Sequence, residues 1–591
     1  MIKHCKHFLW VLTLTLLSII QAVAQPVITG FVPVTDAMLQ NPDPADWLSW
    51  RRTLDSWGYS PLQQITRDNI GELEMVWSRD LVAEGMQEGT PLVYAGIMYM
   101  PNPKDVIQAL DAKTGELIWE YRRSMPADLK EKVGGAAETK RNIAIYDNLI
   151  IHTSNDDFIV ALDAVTGKLV WETRILDYQK QPAQQSNGPI IADGKAISGR
   201  GCFPRAGPTA CVITAHDART GKEVWRFFNI QKAGGADDTW GDVPYEGRWH
   251  VGAWMMPSYD PQLRLIYMGT SVTAPAPKFL LSGNQNQYLY HNSTLALNPD
   301  TGELAWYYQH LVDHWDLDHP FERYLIDTAV TPDAAAVAWI NPRIKPGERR
   351  KVVTGIPGKN GVVYTLDRET GEFLWARPTV KQTVVGDIDG ETGKATVNPE
   401  MLYTAMGQER LVCPSTSGGK MWTAGAYSPL TNVMYQPVQN TCMVATVTID
   451  KPDPEALYGF FGKVQITPGT DKLGTVHAIS VETGKTVWQY EQRAATTSIV
   501  ATGGGLVFGG DAIGVFRAFD QNDGKILWQT ELGSPVTGYP ISFAVNGRQY
   551  IAVSTGFSIT TLSHLRLTPE LKPGNVNKLY VFALPVENSQ K

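Results

Sequence analysis

Between residues 310 and 319 the chain gathers His310, Asp313, His314, Asp316, Asp318 and His319. Carboxylates spaced two apart can hold a hard cation through oxygen. One of them can also take the proton of a hydroxyl group as a general base. The histidines raise zinc as an alternative, but zinc sites favour three or four ligands on rigid spacing. Here Trp315 and Leu317 interrupt any compact set, and no cysteine adds to it. Four further residues offer complementary chemistry. Glu88, in Gln87-Glu88-Gly89-Thr90-Pro91, is an acceptor; Arg141, just before Ile143-Ala144-Ile145, is a planar cation that suits a polyacid ligand. Trp254, in Gly252-Ala253-Trp254, is a flat plate. Lys359, before Asn360-Gly361, could stabilise a developing negative charge. Each also has a plain structural reading: a solvated loop carboxylate, a surface arginine, a core tryptophan, a hairpin-turn lysine and, for Asp316, a turn cap. They act together only if the fold brings distant segments to one place.

The elements that would do so are written in a repeat. A phrase of small–apolar–Asp, a turn ending in Thr-Gly, and then Trp recurs along the chain. Its copies are Ala109-Leu110-Asp111 to Trp119, Ala161-Leu162-Asp163 to Trp171, Ala215-His216-Asp217 to Trp225 and Ala296-Leu297-Asn298 to Trp306. Thr365-Leu366-Asp367 to Trp375, Ala478-Ile479-Ser480 to Trp488 and Ala518-Phe519-Asp520 to Trp528 follow, with ten positions from the small residue to Trp in all seven. The Asp can accept turn N–H groups, the Gly can take positive φ cheaply, and the Trp offers a large apolar surface to a neighbouring unit. Strand-rich repeats of this kind predict a propeller rather than an open solenoid.

The chain ends read as an eighth copy cut in two. Tyr580-Val581-Phe582-Ala583-Leu584 resembles the strand before the turn, and Gly71-Glu72-Leu73-Glu74-Met75-Val76-Trp77 the strand after it. Pairing the two would satisfy both open sheet edges. The expected fold is all-β: an eight-bladed β-propeller with tryptophan-docking motifs, blade eight closed by both termini. The expected organisation is a signal peptide over 1–24, an N-terminal strap over 25–70, the propeller over 71–585 and a tail over 586–591. The long steps between copies, from 215 to 296, 296 to 365 and 365 to 478, require insertions.

Lys3 and Lys6 precede an apolar run from Phe8 to Ile20, with Ala22-Val23-Ala24 after it. That pattern predicts export through a cleaved signal, and the run is short for a membrane span. The net charge of −8 becomes −10 once Lys3 and Lys6 leave. An acidic chain without a Lys/Arg cluster argues against nucleic acid as a partner. Of the five cysteines, Cys5 lies in the signal, leaving Cys202, Cys211, Cys413 and Cys442. Four cysteines in an exported chain allow three pairings. The shortest loops, Cys202–Cys211 and Cys413–Cys442, are the expected ones. No Cys-x-x-Cys-His occurs, so no haem attachment is expected on this chain.

The Ala-x-Asp-x-x-Thr-Gly-x-x-x-Trp phrase resembles the blade motif of quinoprotein alcohol dehydrogenases, the methanol dehydrogenase family, from about Trp47 to Pro585. Leu54-Asp55-Ser56-Trp57-Gly58-Tyr59-Ser60-Pro61-Leu62 and Ile65-Thr66 to Trp77 resemble that family's opening. The segment Val34-Thr35-Asp36 to Trp47, the Cys202/Cys211 loop and Val412-Cys413-Pro414 to Cys442 look most like its sorbose/sorbosone dehydrogenase branch.

The resemblance implies pyrroloquinoline quinone and one metal ion, calcium or a lanthanide, as cofactors. Glu88, Arg141, Ser186, Trp254 and Lys359 match cofactor-binding positions: Arg141 on the carboxylates, Trp254 under the ring, Lys359 at the ortho-quinone oxygens. Asp316 matches the catalytic base, and Asp316 with Asp318 the metal side. Asp318 resembles the pattern of lanthanide-using members. The chain departs from the family at three places. Gly134-Gly135 stands where relatives carry adjacent cysteines, no acid lies in 205–209, and no Asn lies in Ser271-Val272-Thr273. The implied function is periplasmic oxidation of a polyol, sugar or bulky secondary alcohol to a carbonyl. A c-type cytochrome would take the electrons, no membrane span is expected, and a homodimer is compatible with the sequence. The alternatives are a non-catalytic propeller scaffold of the outer-membrane assembly type, a sugar-binding propeller and a haem-fused quinoprotein.

Overall fold

A computed structural model describes residues 28–134, 138–235 and 237–586. The expected signal segment, Gly135 and most of the expected tail lie outside the described residues. Among the described residues, eight sheets hold four or five strands, and within them most strands pair antiparallel with a sequence neighbour. Helix is confined to short pieces such as Asp36–Gln40 and Ile559–Leu565.

The repeat folds as its chemistry predicts. In the first copy, Val106–Asp111 pairs antiparallel with Leu117–Arg122, and the register shifts between Ala109 and Leu110, leaving a bulge opposite them. The Asp111 carboxylate accepts the Lys113 and Thr114 amides at 2.8 and 2.9 Å. Asp163 and Asp217 do the same for Thr166 and Thr220. Where the next copy is uninterrupted, a docking tryptophan lies on its turn glycine. Gly167 has φ +69°, and a Cβ built there would stand 2.6 Å from the Trp119 ring. The same pairing puts Trp171 on Gly221, Trp225 on Gly302 and Trp306 on Gly371. In three of the copies the indole N–H also ties the neighbours together: Trp119 Nε1 donates to Ala164 O at 3.0 Å, Trp225 Nε1 to Pro299 O at 2.9 Å and Trp488 Nε1 to Gln521 O at 2.9 Å. One residue thus supplies both apolar cover and a directional bond between consecutive sheets.

Strands from the two ends of the described chain share a sheet. Glu74–Asp80 pairs antiparallel with Lys578–Ala583, which continues through Arg548–Thr555 to Ile541–Val545. Trp528 meets that sheet through Phe582, with ring centroids 5.5 Å apart.

The segment before Glu74 runs as a belt beneath successive sheets. Val34 N donates to Asp147 O at 2.8 Å and Trp47 N to Val93 O at 2.8 Å. Leu54 O then accepts from Tyr259 N, Asp55 O from Leu325 N, Trp57 O from Tyr427 N and Gly58 O from Ala501 N. Ile65 N ends the run on the Gln549 side chain at 2.9 Å. Trp47, Trp50 and Arg51 of this belt are fully buried.

Both expected disulfides are present, Cys202–Cys211 and Cys413–Cys442. The second joins the end of Glu409–Val412 to Thr441–Val447 within a small three-stranded sheet built from the longest insertion. That insertion reaches the Lys359 turn, where Gly419 N donates to Lys359 O at 2.8 Å.

Candidate active site

Four sheets place a candidate side chain at the same offset. Glu88, Ser186, Trp254 and Trp422 each stand four residues ahead of the strand that begins a sheet: Leu92–Tyr94, Ile190–Ala192, Ser258–Asp260 and Ala426–Ser428. Arg141 stands three residues ahead of Ala144–Tyr146. Each strand is the terminal strand of its sheet. A common offset from equivalent strands makes these side chains converge.

The convergence is direct for all five, with Arg141 at its centre. The Arg141 guanidinium pairs with the Glu88 carboxylate at 2.6 Å and donates to Ser186 Oγ at 2.7 Å. It also lies 5.4 Å from the Trp254 ring centroid and 5.6 Å from that of Trp422. One cation is therefore in reach of two indole faces, a carboxylate and a hydroxyl. Burial pushes the Glu88 carboxyl up, and Arg141 and Ser558 offset that only in part. Trp422 carries no motif of its own and escapes the sequence reading. Its offset, shared with Trp254, is the signal that identifies it. Trp422 Nε1 donates to Thr560 Oγ1 at 3.0 Å, and its carbonyl accepts the Tyr539 hydroxyl at 2.9 Å.

The second cluster centres on Lys359, which precedes Val362–Asp367. Its ammonium lies 2.9 Å from Asp316 Oδ2 and 3.2 Å from Asp318 Oδ2, and all three side chains are buried. Lys359 N also donates to Asp318 O at 2.9 Å. Burial, then the neighbouring Asp318 charge, raises the Asp316 carboxyl well above the ordinary carboxylate range, with Lys359 opposing. Burial acts the same way on Asp318. There the Lys359 charge, the Val272 N–H at 2.8 Å and His250 outweigh it and hold the carboxyl low. The pair thus shares one ammonium unequally, with Asp318 the more anionic partner.

The two clusters are joined through short contacts. Trp254 packs edge-on against Phe321 with centroids 5.5 Å apart, and Phe321 N donates to Pro357 O, two residues before Lys359. Gly252 N donates to Ser271 Oγ at 2.8 Å, and Ser271 precedes the Val272 amide that holds Asp318. The Cys202–Cys211 bridge stands behind this wall, with Val251 N 3.4 Å from Cys211 Sγ.

The Arg141 side is furnished for a flat, acidic ligand. Gln87 Oε1 and Nε2, Thr90 Oγ1, Arg141 Nε, Thr423 Oγ1 and Thr537 Oγ1 are buried without a hydrogen-bond partner. Buried polar atoms of this kind normally find one. Thr537 stands four residues before Ile541–Val545, at the same offset as the indoles. The Asp316 side is less complete for a metal. Among the described residues no group of three or more His, Cys, Asp or Glu side chains is placed to hold an ion. Two carboxylates fall short of the six to eight oxygens that calcium takes, so the side chains do not by themselves fit a metal centre.

The family model for the glucose/ethanol/alcohol dehydrogenase β-propeller domain that uses PQQ, pyrroloquinoline quinone, matches residues 47–401 and 471–551. The dehydrogenase subunit of alcohol dehydrogenase (quinone) from Komagataeibacter europaeus is 31% identical over 552 residues, 87% of this chain and 72% of that relative. A solved europium-containing methanol dehydrogenase superposes with a TM-score of 0.82 at 26% identity, over 93% of this chain and 99% of that one. The quinohemoprotein alcohol dehydrogenase ADHIIG of Pseudomonas putida HK5 gives a TM-score of 0.80 at 27% identity, over 94% and 83% of the two chains. With an all-β repeat whose tryptophans dock sheet on sheet, and a matched family model that covers most of its length, the chain belongs to the PQQ-dependent alcohol dehydrogenase family of β-propeller oxidoreductases.

Proposed function

We propose that this protein is a periplasmic dehydrogenase that binds PQQ between Trp254 and Trp422 and oxidises a polyol, a sugar or a bulky secondary alcohol to a carbonyl. The observation that carries the reading is Arg141. One guanidinium faces both indoles while bonded to Glu88 and Ser186. In this proposal Arg141 and Ser186 hold carboxylates of the quinone and Glu88 accepts a hydrogen bond from it. Trp254 is the floor, and Trp422 is the cover in a chain whose Gly134-Gly135 replaces the family's adjacent cysteines. When bound, PQQ supplies an ortho-quinone that accepts two electrons.

The remaining work falls to the chain's own side chains. Asp316 takes the hydroxyl proton of the alcohol. Its carboxylate stands 2.9 Å from the Lys359 ammonium, a cation that favours the ionised form a base needs. Lys359 orients the Asp316 carboxylate and presents an ammonium where negative charge builds. Asp316 and Asp318 would face a calcium or lanthanide ion, whose other oxygens would have to come from outside the side chains. The eight sheets of four or five strands support eight blades, with 25–70 as strap and 71–585 as propeller. The pairing of Glu74–Asp80 with Lys578–Ala583 supports closure of the ring in the last blade. The apolar, Ala-x-Ala-ended start supports export. Among the described residues no helix is long and apolar enough to cross a membrane. A c-type cytochrome as electron acceptor fits a chain without a haem-attachment motif, and a homodimer is compatible with the reading.

The test is reconstitution. The purified chain is mixed with PQQ and either calcium or a light lanthanide, then assayed by dye reduction on a panel of alcohols. Dye reduction that needs PQQ is expected. No reduction with any pairing of quinone, ion and alcohol would remove the enzyme reading, and activity with calcium alone would remove the lanthanide role given to Asp318.

A further inference from the structure

Asp316 adopts a left-handed backbone, φ 65°, which a non-glycine residue holds only when its surroundings enforce it. The enforcing group is a third carboxylate, Asp313. It is fully buried, and its two oxygens accept the amides on either side of Asp316: Trp315 N at 2.8 Å and Leu317 N at 2.5 Å. A single carboxylate thus brackets the residue between them. Neither oxygen touches the Asp316 side chain, so the effect passes through the backbone.

Asp313 is itself anchored. Its N–H donates to His291 Nε2 at 3.0 Å, and His291 Nδ1 bonds Tyr288 O at 2.9 Å, which fixes that imidazole in the neutral tautomer with the proton on Nδ1. Burial raises the Asp313 carboxyl above the ordinary carboxylate range, and the charge of Lys278 opposes that rise. That lysine has no exposed surface, and its sole hydrogen bond from Nζ is a long one to Thr273 O at 3.4 Å. Asp313 is the carboxylate whose charge it feels. Burial lowers the pKa of that ammonium to about 7, with Asp313 opposing.

We infer that Asp313 is a positioning residue for the reaction: its two oxygens lock Asp316 in the conformation that presents its carboxylate to Lys359 and the substrate. The inference rests on Asp316 acting as the base. In Asp313→Asn one oxygen becomes an NH₂ group, which cannot accept, so one of the two amides loses its partner. Asp316 is then free to leave the left-handed region.

The test has two arms. In kinetics on the reconstituted enzyme, D313N should lower kcat about 100-fold, as a displacement of the order of 1 Å does, with KM for the alcohol nearly unchanged. In a D316N background the same change should cost almost nothing, because the group it positions is gone. Equal fractional losses in both backgrounds, or wild-type kcat in D313N, would overturn the inference. In crystals of D313N, Asp316 should lose its positive φ and its contact with Lys359; an unmoved Asp316 overturns it as well. This second arm needs no activity, so it still decides the inference if the wild type oxidises no alcohol and the proposed function falls. Should D313N fail to fold, Asp313→Glu takes its place in both arms: a fall in kcat with a displaced Asp316 is expected, and wild-type behaviour overturns the inference.

Discussion

At the scale of single residues, the proposed function gives the two clusters different work, holding for one and reacting for the other. Asp316→Asn keeps the shape of the side chain but removes the proton acceptor, so turnover should fall by about 10²- to 10⁴-fold, the usual worth of a general base. Steady-state kcat with the quinone saturating measures it, and full turnover in D316N would remove Asp316 as the base. Arg141→Gln should act on binding instead. Losing a charged hydrogen-bond partner costs about 1.5–3 kcal/mol, so the quinone Kd should rise by about 10- to 150-fold. Trp422→Ala should cost about 1 kcal/mol, close to five-fold in Kd, if that indole covers the ring. Quenching of tryptophan fluorescence during a quinone titration reads both, and unchanged affinity in W422A would leave the cover unassigned.

At the scale of elements, the tryptophan–glycine dock is the joint between sheets. Gly167→Ala puts a side chain at φ +69° and drives a Cβ into the Trp119 ring at 2.6 Å. The backbone strain alone is about 1–2 kcal/mol, and the displaced indole also loses its bond to Ala164 O. A lower denaturant midpoint is expected, with G167A clearly below a control such as Gly547→Ala, which also has positive φ but meets no neighbour. Equal losses in the two variants would show that the dock contributes nothing beyond backbone strain. The Cys413–Cys442 bridge closes a separation of 29 residues beside the Lys359 turn. Replacing both cysteines by serine should cost about 2–4 kcal/mol by the loop-entropy account, read as a shift of the unfolding midpoint under non-reducing conditions.

At the scale of the whole molecule, pH acts through imidazoles sealed in the core. His152 is fully buried, and burial lowers its pKa from 6.5 to about 4, with Asp105 opposing. The unfolded chain therefore takes up a proton that the folded one refuses. Stability from this group is complete above pH 6.5 and is lost as pH falls toward 4. His152→Leu should lose less stability than the wild type between pH 7 and pH 5, by up to about 2 kcal/mol. Identical pH slopes for the two proteins would contradict the neutral, buried state. The proposed ring closure belongs to the same scale. A chain ending before Lys578 would leave Glu74–Asp80 without its partner, so cooperative unfolding should be lost.

The repeat, the sheets it builds and the disulfides were legible along the chain, because they depend on local spacing: ten residues from small residue to Trp, a turn Asp with its Gly, cysteines a short loop apart. The sequence also marked Glu88, Arg141, Ser186, Trp254, Asp316 and Lys359, since a resemblance preserves residue type at motif positions. Trp422 and Asp313 were beyond it. An indole among eighteen, or an aspartate three residues from another, has no distinguishing chemistry until something fixes its direction. The tertiary structure supplied that direction. The common offset ahead of equivalent strands turned Trp422 toward Arg141, and the loop after Gln309 folded back so that Asp313 meets the amides flanking Asp316. Local hydrogen bonding and apolar periodicity can be read along a chain. Which groups share a low-dielectric interior, and so feel one another's charge, is decided only when distant strands close on one another.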